Sequence, residues 1–505
     1  MKRSVLIVFS LFAIYTISAG EEIDLSWQKS AIQNNLHFSF LESNQEKLSV
    51  ILPYQEKEYG LVISNWKKIK NSINTYFSAT DRGESFLYYK PKIDKISYLR
   101  LRLQAGIDYS VISDSSYSFL HYGWQLQGRM GNKIYLFSEM WSGHFSSGAE
   151  YVRDHSILID SWSKERDDTV YLDNIRGKLL FRGEYLDIAI GRGKYETGSN
   201  IGGSIILSDK CNDYGYMSLD LKLGDFRIST FQASLLPDSS TVLTGDDYAD
   251  YEYNENKYLT IHDLSWKPSD KLRLFCGEQV IYGAHSMELS YLLPFNFIRA
   301  VEHNLSDNDN VMIYAGGEWN LWRKGILYGN VILDELKKSE ILGDWWGNKY
   351  AVQLGHKYYM DNKDKVGIGL EFTAVRPWLY THKSVFTKYS HDQIGLGFPE
   401  GSNLIQVAGS IDWLIRDNLE LNCFTAFIRQ GERGNNWELN YESEIDDLEN
   451  EGTGWLEGNP QNRYKLQAVV SWSPLSHHKI KAGINSIIQK DKTMTEFYFS
   501  WLTRY

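Results

Sequence analysis

Residues with the chemistry to recognise a ligand gather in four places. Gly343-Asp344-Trp345-Trp346-Gly347-Asn348-Lys349-Tyr350 combines two indoles with a carboxylate, an amide and an ammonium group. Arg376-Pro377-Trp378-Leu379-Tyr380-Thr381-His382 follows, with Tyr389 and His391 close behind. Arg299, Glu302, His303 and Asn304 form a third group, and Arg192 with Lys194-Tyr195-Glu196 a fourth. Such mixtures suit carbohydrate, because an aromatic face stacks on the C–H face of a sugar while planar polar groups hydrogen-bond its hydroxyls. The binding candidates are therefore Trp345, Trp346, Asn348, Arg376, Tyr380 and His382, with Arg192, Glu302 and His303 behind them. Trp and Tyr also populate membrane girdles, and Arg beside Glu or Asp also builds ion-pair ladders, so a structural role stands next to the binding role for each.

Signatures of catalysis are missing. The chain has no GxSxG, no HExxH, no phosphate loop and no clustered Cys/His metal spacing, so neither an enzyme nor a cofactor or metal is expected. Asp334-Glu335 could be imagined as a glycosidase pair, but adjacent strand residues point to opposite faces and do not oppose each other across a substrate. Gly431–Gln461 is acidic through Glu442, Glu444, Asp446, Asp447, Glu449 and Glu451. It reads either as a solvated loop or as a cation-bridged lid, carboxylate oxygens being suited to Ca²⁺.

These clusters need a scaffold, and the end of the chain points to one. In Thr495–Tyr505, Phe497, Phe499, Trp501 and Tyr505 share one face at period two while Glu496, Ser500 and Arg504 take the other. A soluble protein seldom finishes on bare aromatics, whereas an outer-membrane barrel closes its sheet with such a strand. The same alternation runs through Leu101–Tyr109, Val366–Ala374, Ile405–Ile415 and Tyr464–Trp472. A sandwich would show the same period with its apolar face inward, so periodicity alone leaves both open.

Connection lengths separate the two. Short polar turns fall near Gly131-Asn132, Gly183-Glu184, Gly224-Asp225, Pro268-Ser269, Arg323-Lys324, Asn362-Lys363, Asp417-Asn418 and Pro474-Ser476. Between them lie long connections at 147–169, 194–212, 237–256, 283–309, 336–347, 377–402 and 431–461. Strict alternation of short and long is the periplasmic-turn, outer-loop asymmetry of outer-membrane barrels. Counting the first hairpin and the closing strands gives an all-β antiparallel barrel of about eighteen strands, both chain ends periplasmic. Met287–Leu292 looks strand-like, but parity keeps it inside a loop.

Ahead of the barrel, residues 1–20 read as a secretory signal with a basic start, an apolar stretch and a small-residue cleavage site. Residues 21–95 read as a small helical periplasmic segment, since Val62, Trp66, Ile69, Ile73 and Phe77 recur at helical spacing. The barrel then occupies 96–505. Mean hydropathy is −0.39 although aromatics reach 14%, as alternating, girdled strands would produce. Three widely spaced cysteines imply no disulfide framework, and a net charge of −11 argues against nucleic acid.

Several of these segments, taken in order, resemble the Wzi family of outer-membrane capsule-assembly proteins. The resemblance rests on Gly191-Arg192 to Ser204–Ser208, Pro294-Phe295 through Glu302-His303-Asn304 to Asp309-Asn310, and Leu327-Tyr328-Gly329 to Leu333-Asp334-Glu335. Asp344–Tyr350 and Arg376–His382 complete it. It implies an eighteen-stranded outer-membrane barrel with a periplasmic helical element and a lectin-like role, retaining capsular polysaccharide at the cell surface without catalysis. The turn after Gly191-Arg192 carries Tyr195 but no Trp, and the acidic loop is long; both depart from the family's pattern. The partners expected are capsular or extracellular polysaccharide, outer-membrane lipid and lipopolysaccharide, and export or barrel-insertion machinery, with the protein a monomer. The rival reading is a porin or substrate channel of the outer membrane.

Overall fold

The computed structural model describes residues 46–47, 87–89 and 97–504 except 113–114, 146–161, 167–168, 238–255, 270, 306–308, 323–324, 336–342, 361–365, 385, 393, 417, 438–452, 476–477 and 491–492. The expected signal and the Val62–Phe77 helix lie outside the described residues, as does the most acidic part of 431–461. Within the stretch read as helical, Leu87–Tyr89 is instead a short strand, paired antiparallel with Leu99–Leu101.

Eighteen antiparallel strands close into a barrel. They are β1 (Tyr98–Ile112), β2 (Ser115–Met130), β3 (Ile134–Phe145), β4 (Thr169–Arg182), β5 (Leu186–Gly193) and β6 (Tyr214–Leu223). Next come β7 (Phe226–Leu235), β8 (Lys257–Ser269), β9 (Leu272–Gly283), β10 (Asn310–Trp322), β11 (Gly325–Glu335) and β12 (Lys349–Tyr359). The set ends with β13 (Val366–Val375), β14 (Leu404–Arg416), β15 (Leu419–Gln430), β16 (Gln461–Trp472), β17 (His478–Gln489) and β18 (Thr493–Arg504). Each pairs with its sequence neighbours, and β18 closes the cylinder on β1 from Glu496↔Ile112 to Arg504↔Gln104. No edge remains to recruit another chain.

The alternation now has a direction. Phe497, Phe499 and Trp501 are 57%, 42% and 45% exposed, while Glu496 on the opposite face is buried. The same holds on β1, where Leu103, Ile107 and Tyr109 are exposed and Arg100, Gln104 and Asp108 are buried. A sandwich would bury the apolar set, so that reading is excluded. An apolar exterior around a closed, fully hydrogen-bonded sheet is what hydrocarbon demands of a strand protein.

Short and long connections fall as the residues indicated. Met287–Leu292 does not join the wall: Leu289–Leu292 forms a 3₁₀ turn, followed by one helix, α1 (Ile298–Leu305), both inside the connection between β9 and β10. Cys211, Cys276 and Cys423 are free thiols.

Candidate functional site

A connection that enters the lumen sets the floor of the site. The segment between β5 and β6 leaves the wall at Gly193 and reaches inward-facing residues as far round as β13, eight strands from β5 in an eighteen-strand ring. Its anchors are specific. Glu371 of β13 accepts the backbone N–H groups of Ile201 and Gly202 at 2.7 and 2.8 Å, and the Tyr328 hydroxyl at 2.7 Å. Asn330 donates to the Ser199 carbonyl at 2.9 Å, and Gln353 to that of Gly203 at 2.8 Å. Ile205, Ile206 and Leu207, all fully buried, then pack into one core with inward residues of the wall such as Phe231, Ile261, Tyr314 and Ile332. A run of three large apolar residues gains its burial here only by filling the lumen.

Above this floor the turn after β13 joins the neighbouring loops. Arg376 is the joint: its Nε donates to the Asn348 carbonyl at 3.1 Å, and its Nη2 to those of Trp345 and Thr453 at 3.5 and 3.0 Å. A planar guanidinium carries several donors in a fixed fork, so one residue ties three segments. Burial pushes its pKa down from the ordinary arginine value. Asn403 adds a second joint, accepting the Glu457 N–H at 2.9 Å and donating to the Arg433 and Glu457 carbonyls at 2.6 and 2.9 Å. Trp378 and Tyr380 hold left-handed backbone, at φ +65° and +73°. L-residues adopt that conformation at a cost, which the surrounding bonds offset.

Aromatic rings surround Arg376. Its guanidinium carbon lies 5.6 Å from the Trp455 ring centre and 5.9 Å from that of Tyr350, and those two rings meet edge-on at 5.8 Å. Trp345 and Trp346 lie 6.0 Å apart, and Lys349 Nζ sits 5.3 Å over the Trp346 ring. Trp346 and Trp378 are buried against each other, whereas Trp345 and Tyr350 are half-buried and Trp455 is 40% exposed. Trp345, Tyr350 and Trp455 thus offer ring surface to a ligand, while Trp346, Trp378 and Asn348 form the footing. Trp455 follows an acidic run in the sequence, and only the fold brings its ring to Arg376.

Tyr380 and His382 make other contacts. Tyr380 is buried, donates its hydroxyl to the Ile205 carbonyl at 2.6 Å and stacks on Tyr389 at 5.7 Å. Tyr389 donates in turn to the Ile206 carbonyl at 2.6 Å, so this pair fastens the loop after β13 to the loop inside the lumen. His382 meets Thr387 at 2.5 Å, and burial, then Lys349 and Lys383, lower its pKa to about 4. His391 accepts the Leu236 N–H at Nδ1, 2.9 Å away, and burial brings its pKa to about 4 as well.

The remaining candidates lie elsewhere. Arg192 is exposed and shares its strand face with the exposed Ile188 and Ile190, so it belongs to the outside of the wall. Glu302 and His303 sit on α1, where Glu302 is buried and meets Arg299 at 3.2 Å while His303 is exposed. The Ile298 end of that helix packs on the outward-facing Val280, Tyr282 and Val311. Of the nine candidates, four converge on the Arg376 cluster: Trp345, Trp346, Asn348 and Arg376 itself. Asp334 and Glu335 form no facing pair; Glu335 reaches Lys349 at 3.7 Å.

No protein-family model matches the sequence, and no curated protein matches it. Among solved structures the barrel is similar to Wzi of Escherichia coli, an outer-membrane protein involved in group 1 capsule assembly and a carbohydrate-binding β-barrel. The TM-score is 0.50 at 11% identity, covering 79% of this chain and 83% of that one. Two Pseudomonas aeruginosa proteins are also similar: OccK8 (OprE), TM-score 0.44 and 9% identity over 81% and 98% of the two chains, and OccD1 (OprD), 0.44 and 10% over 84% and 98%. At such identities the likeness establishes the fold alone: this chain is an eighteen-stranded barrel of the outer-membrane kind.

Proposed function

We propose that this protein holds an exported polysaccharide at the cell surface, binding it without catalysis at the long-loop end of the barrel. The observation that carries the reading is the arrangement around Arg376: three partly accessible rings, Trp345, Tyr350 and Trp455, on a footing locked by backbone bonds. Aromatic faces on a rigid base lose little freedom when a sugar stacks on them. The core packed into the lumen along β6 to β15 supports the same reading, since a polymer resting on it meets an obstacle to passage. Each sugar contact is weak, and a long chain gains by engaging many copies at once. The carbohydrate binding and capsule assembly of the E. coli relative agree with this proposal. On cells, Trp345→Ala combined with Trp455→Ala should shed surface polysaccharide into the medium with barrel abundance unchanged. Full retention by that double variant would sink the proposal.

A substrate channel is the second reading, favoured by the charged inner face toward the short-turn end, where Arg273 meets Glu318 at 3.2 Å and Lys222 meets Asp187 at 2.6 Å. Steady ion current through the wild-type protein in planar bilayers would favour it.

A further inference from the structure

The connection between β9 and β10 folds over the outside of the wall. Strand alternation fixes the direction of each residue: on β8 and β9 the even-numbered positions face outward, as the exposed Leu264, Trp266 and Leu274 mark. His262, Glu278, Val280 and Tyr282 share that outward parity and yet are covered. The His262 ring nitrogens lie 2.8 Å from the Tyr291 carbonyl and 3.2 Å from that of Asn296. Glu278 accepts the Ile298 N–H at 2.7 Å, and Tyr291 and Ile298 pack on Val280, Tyr282 and Val311. Here the exterior carries the polar His262 and Glu278 under a protein cover, so the hydrocarbon boundary in this sector lies lower down the wall.

That boundary coincides with a recess. Ile228, Leu264, Cys276, Ala315 and Val331 are paired one to the next across β7 to β11, forming a single outward-facing row. Together with Ile313 and Leu333, and with Pro294, Phe295 and Phe297 of the connection as a roof, they line a cavity of about 610 Å³. This volume falls within the roughly 300–1,000 Å³ of ligand pockets. Leu264 and Ile313 also belong to the exposed apolar band, which continues through Leu274 and Trp319. Phe295 and Phe297 are 67% and 77% exposed, bare aromatics at the level where the wall turns from polar to apolar. Bare apolar rings at that level gain by entering the acyl boundary.

We propose that this recess holds one acyl chain of an outer-leaflet lipid, taken sideways from the bilayer, with residues 289–305 of the connection serving as a clasp at the membrane surface. Continuity of the cavity floor with the lipid-facing band argues for this occupant. A chain already in the bilayer enters without crossing water, and the polar lining residues His262, Glu278 and Asn296 are already bonded to backbone groups of the protein. The site is independent of the Arg376 cluster, so either can fail alone.

The test uses the full protein in nanodiscs of phosphatidylethanolamine doped with the same lipid carrying a diazirine on its acyl chain. After irradiation, adducts are mapped by mass spectrometry. Adducts at Cys276, Ala315 and Phe295 should exceed several-fold those at Ile190 and Leu466, which lie exposed on the outer wall. Ala315→Trp, filling the row beside Cys276, should bring the excess down to the wall level; Phe295→Ser, which opens the roof without touching the wall, should lower it too. Even labelling around the barrel, or an excess that a folded form of either variant leaves intact, overturns the proposal.

Discussion

At the residue scale, the site separates side chains that meet a ligand from those that hold the first group in place. Trp346 belongs to the second kind, since it is 7% exposed and packed on Trp378. Trp346→Ala should lower barrel stability by about 3–5 kcal/mol, the usual cost of emptying a large aromatic site. Trp345→Ala should change stability little while weakening polysaccharide binding. Thermal loss of the compact, heat-modifiable band on gels separates the two, and equal destabilisation by both would contradict the division. The two loop histidines give a pH dependence of known sign. His382 and His391 have pKa values lowered from 6.5 to about 4 when the loops are docked. The undocked state therefore takes up protons first, and the docking contribution is complete above pH 6.5 and lost as pH falls toward 4. Proteolysis of the loop 377–403 should quicken across that window, and His382→Gln with His391→Gln should flatten the response. An acid response unchanged in the double variant would place its origin in other groups.

At the element scale, the loop between β5 and β6 is the part the sequence concealed. The strands were legible because period two survives along each one and because short and long connections alternate. The run Ser204-Ile205-Ile206-Leu207-Ser208 was visible too, but alternation carries no information about where an irregular segment goes. Its destination depends on Glu371, which from sequence is one more polar residue on the inner face of β13. A lone carboxylate reveals itself as an anchor only when two backbone N–H groups from a loop 169 and 170 residues away arrive at it. Glu371→Ala leaves those buried donors without their acceptor, at about 1–3 kcal/mol for each unsatisfied group. The lumen loop should then loosen, and single-molecule current in planar bilayers should rise above the wild-type level. A wild-type barrel already conducting as freely as the variant would show that the loop does not close the lumen. The loop between β9 and β10 left a fainter trace. Thr230, Gln232, Thr260, His262 and Glu278 interrupt the apolar series on the outward faces of β7 to β9, which is the mark of a covered wall. Reading that mark needs the register of three strands at once, because any single strand merely looks imperfect.

At the scale of the whole molecule, a closed wall with apolar exterior, a packed upper lumen and three loops stapled through Arg376 and Asn403 make one rigid platform at the long-loop end. Four of nine candidates met there because recognition and stapling draw on the same residue types: Arg, Asn and Trp serve either task. Arg192, Glu302 and His303 dispersed because spacing along a chain does not say on which side of a cylinder a connection will fold. The central claim is that the platform binds polysaccharide through its accessible rings. Its most direct measurement is calorimetric titration of the purified, detergent-solubilised barrel with capsular polysaccharide from the same cells, for the wild type and for Trp345→Ala with Trp455→Ala. Binding by the wild type, weakened at least about tenfold (about 1.4 kcal/mol) in the double variant, is the expected result. Equal affinity in the two proteins, or no binding by either, would contradict it.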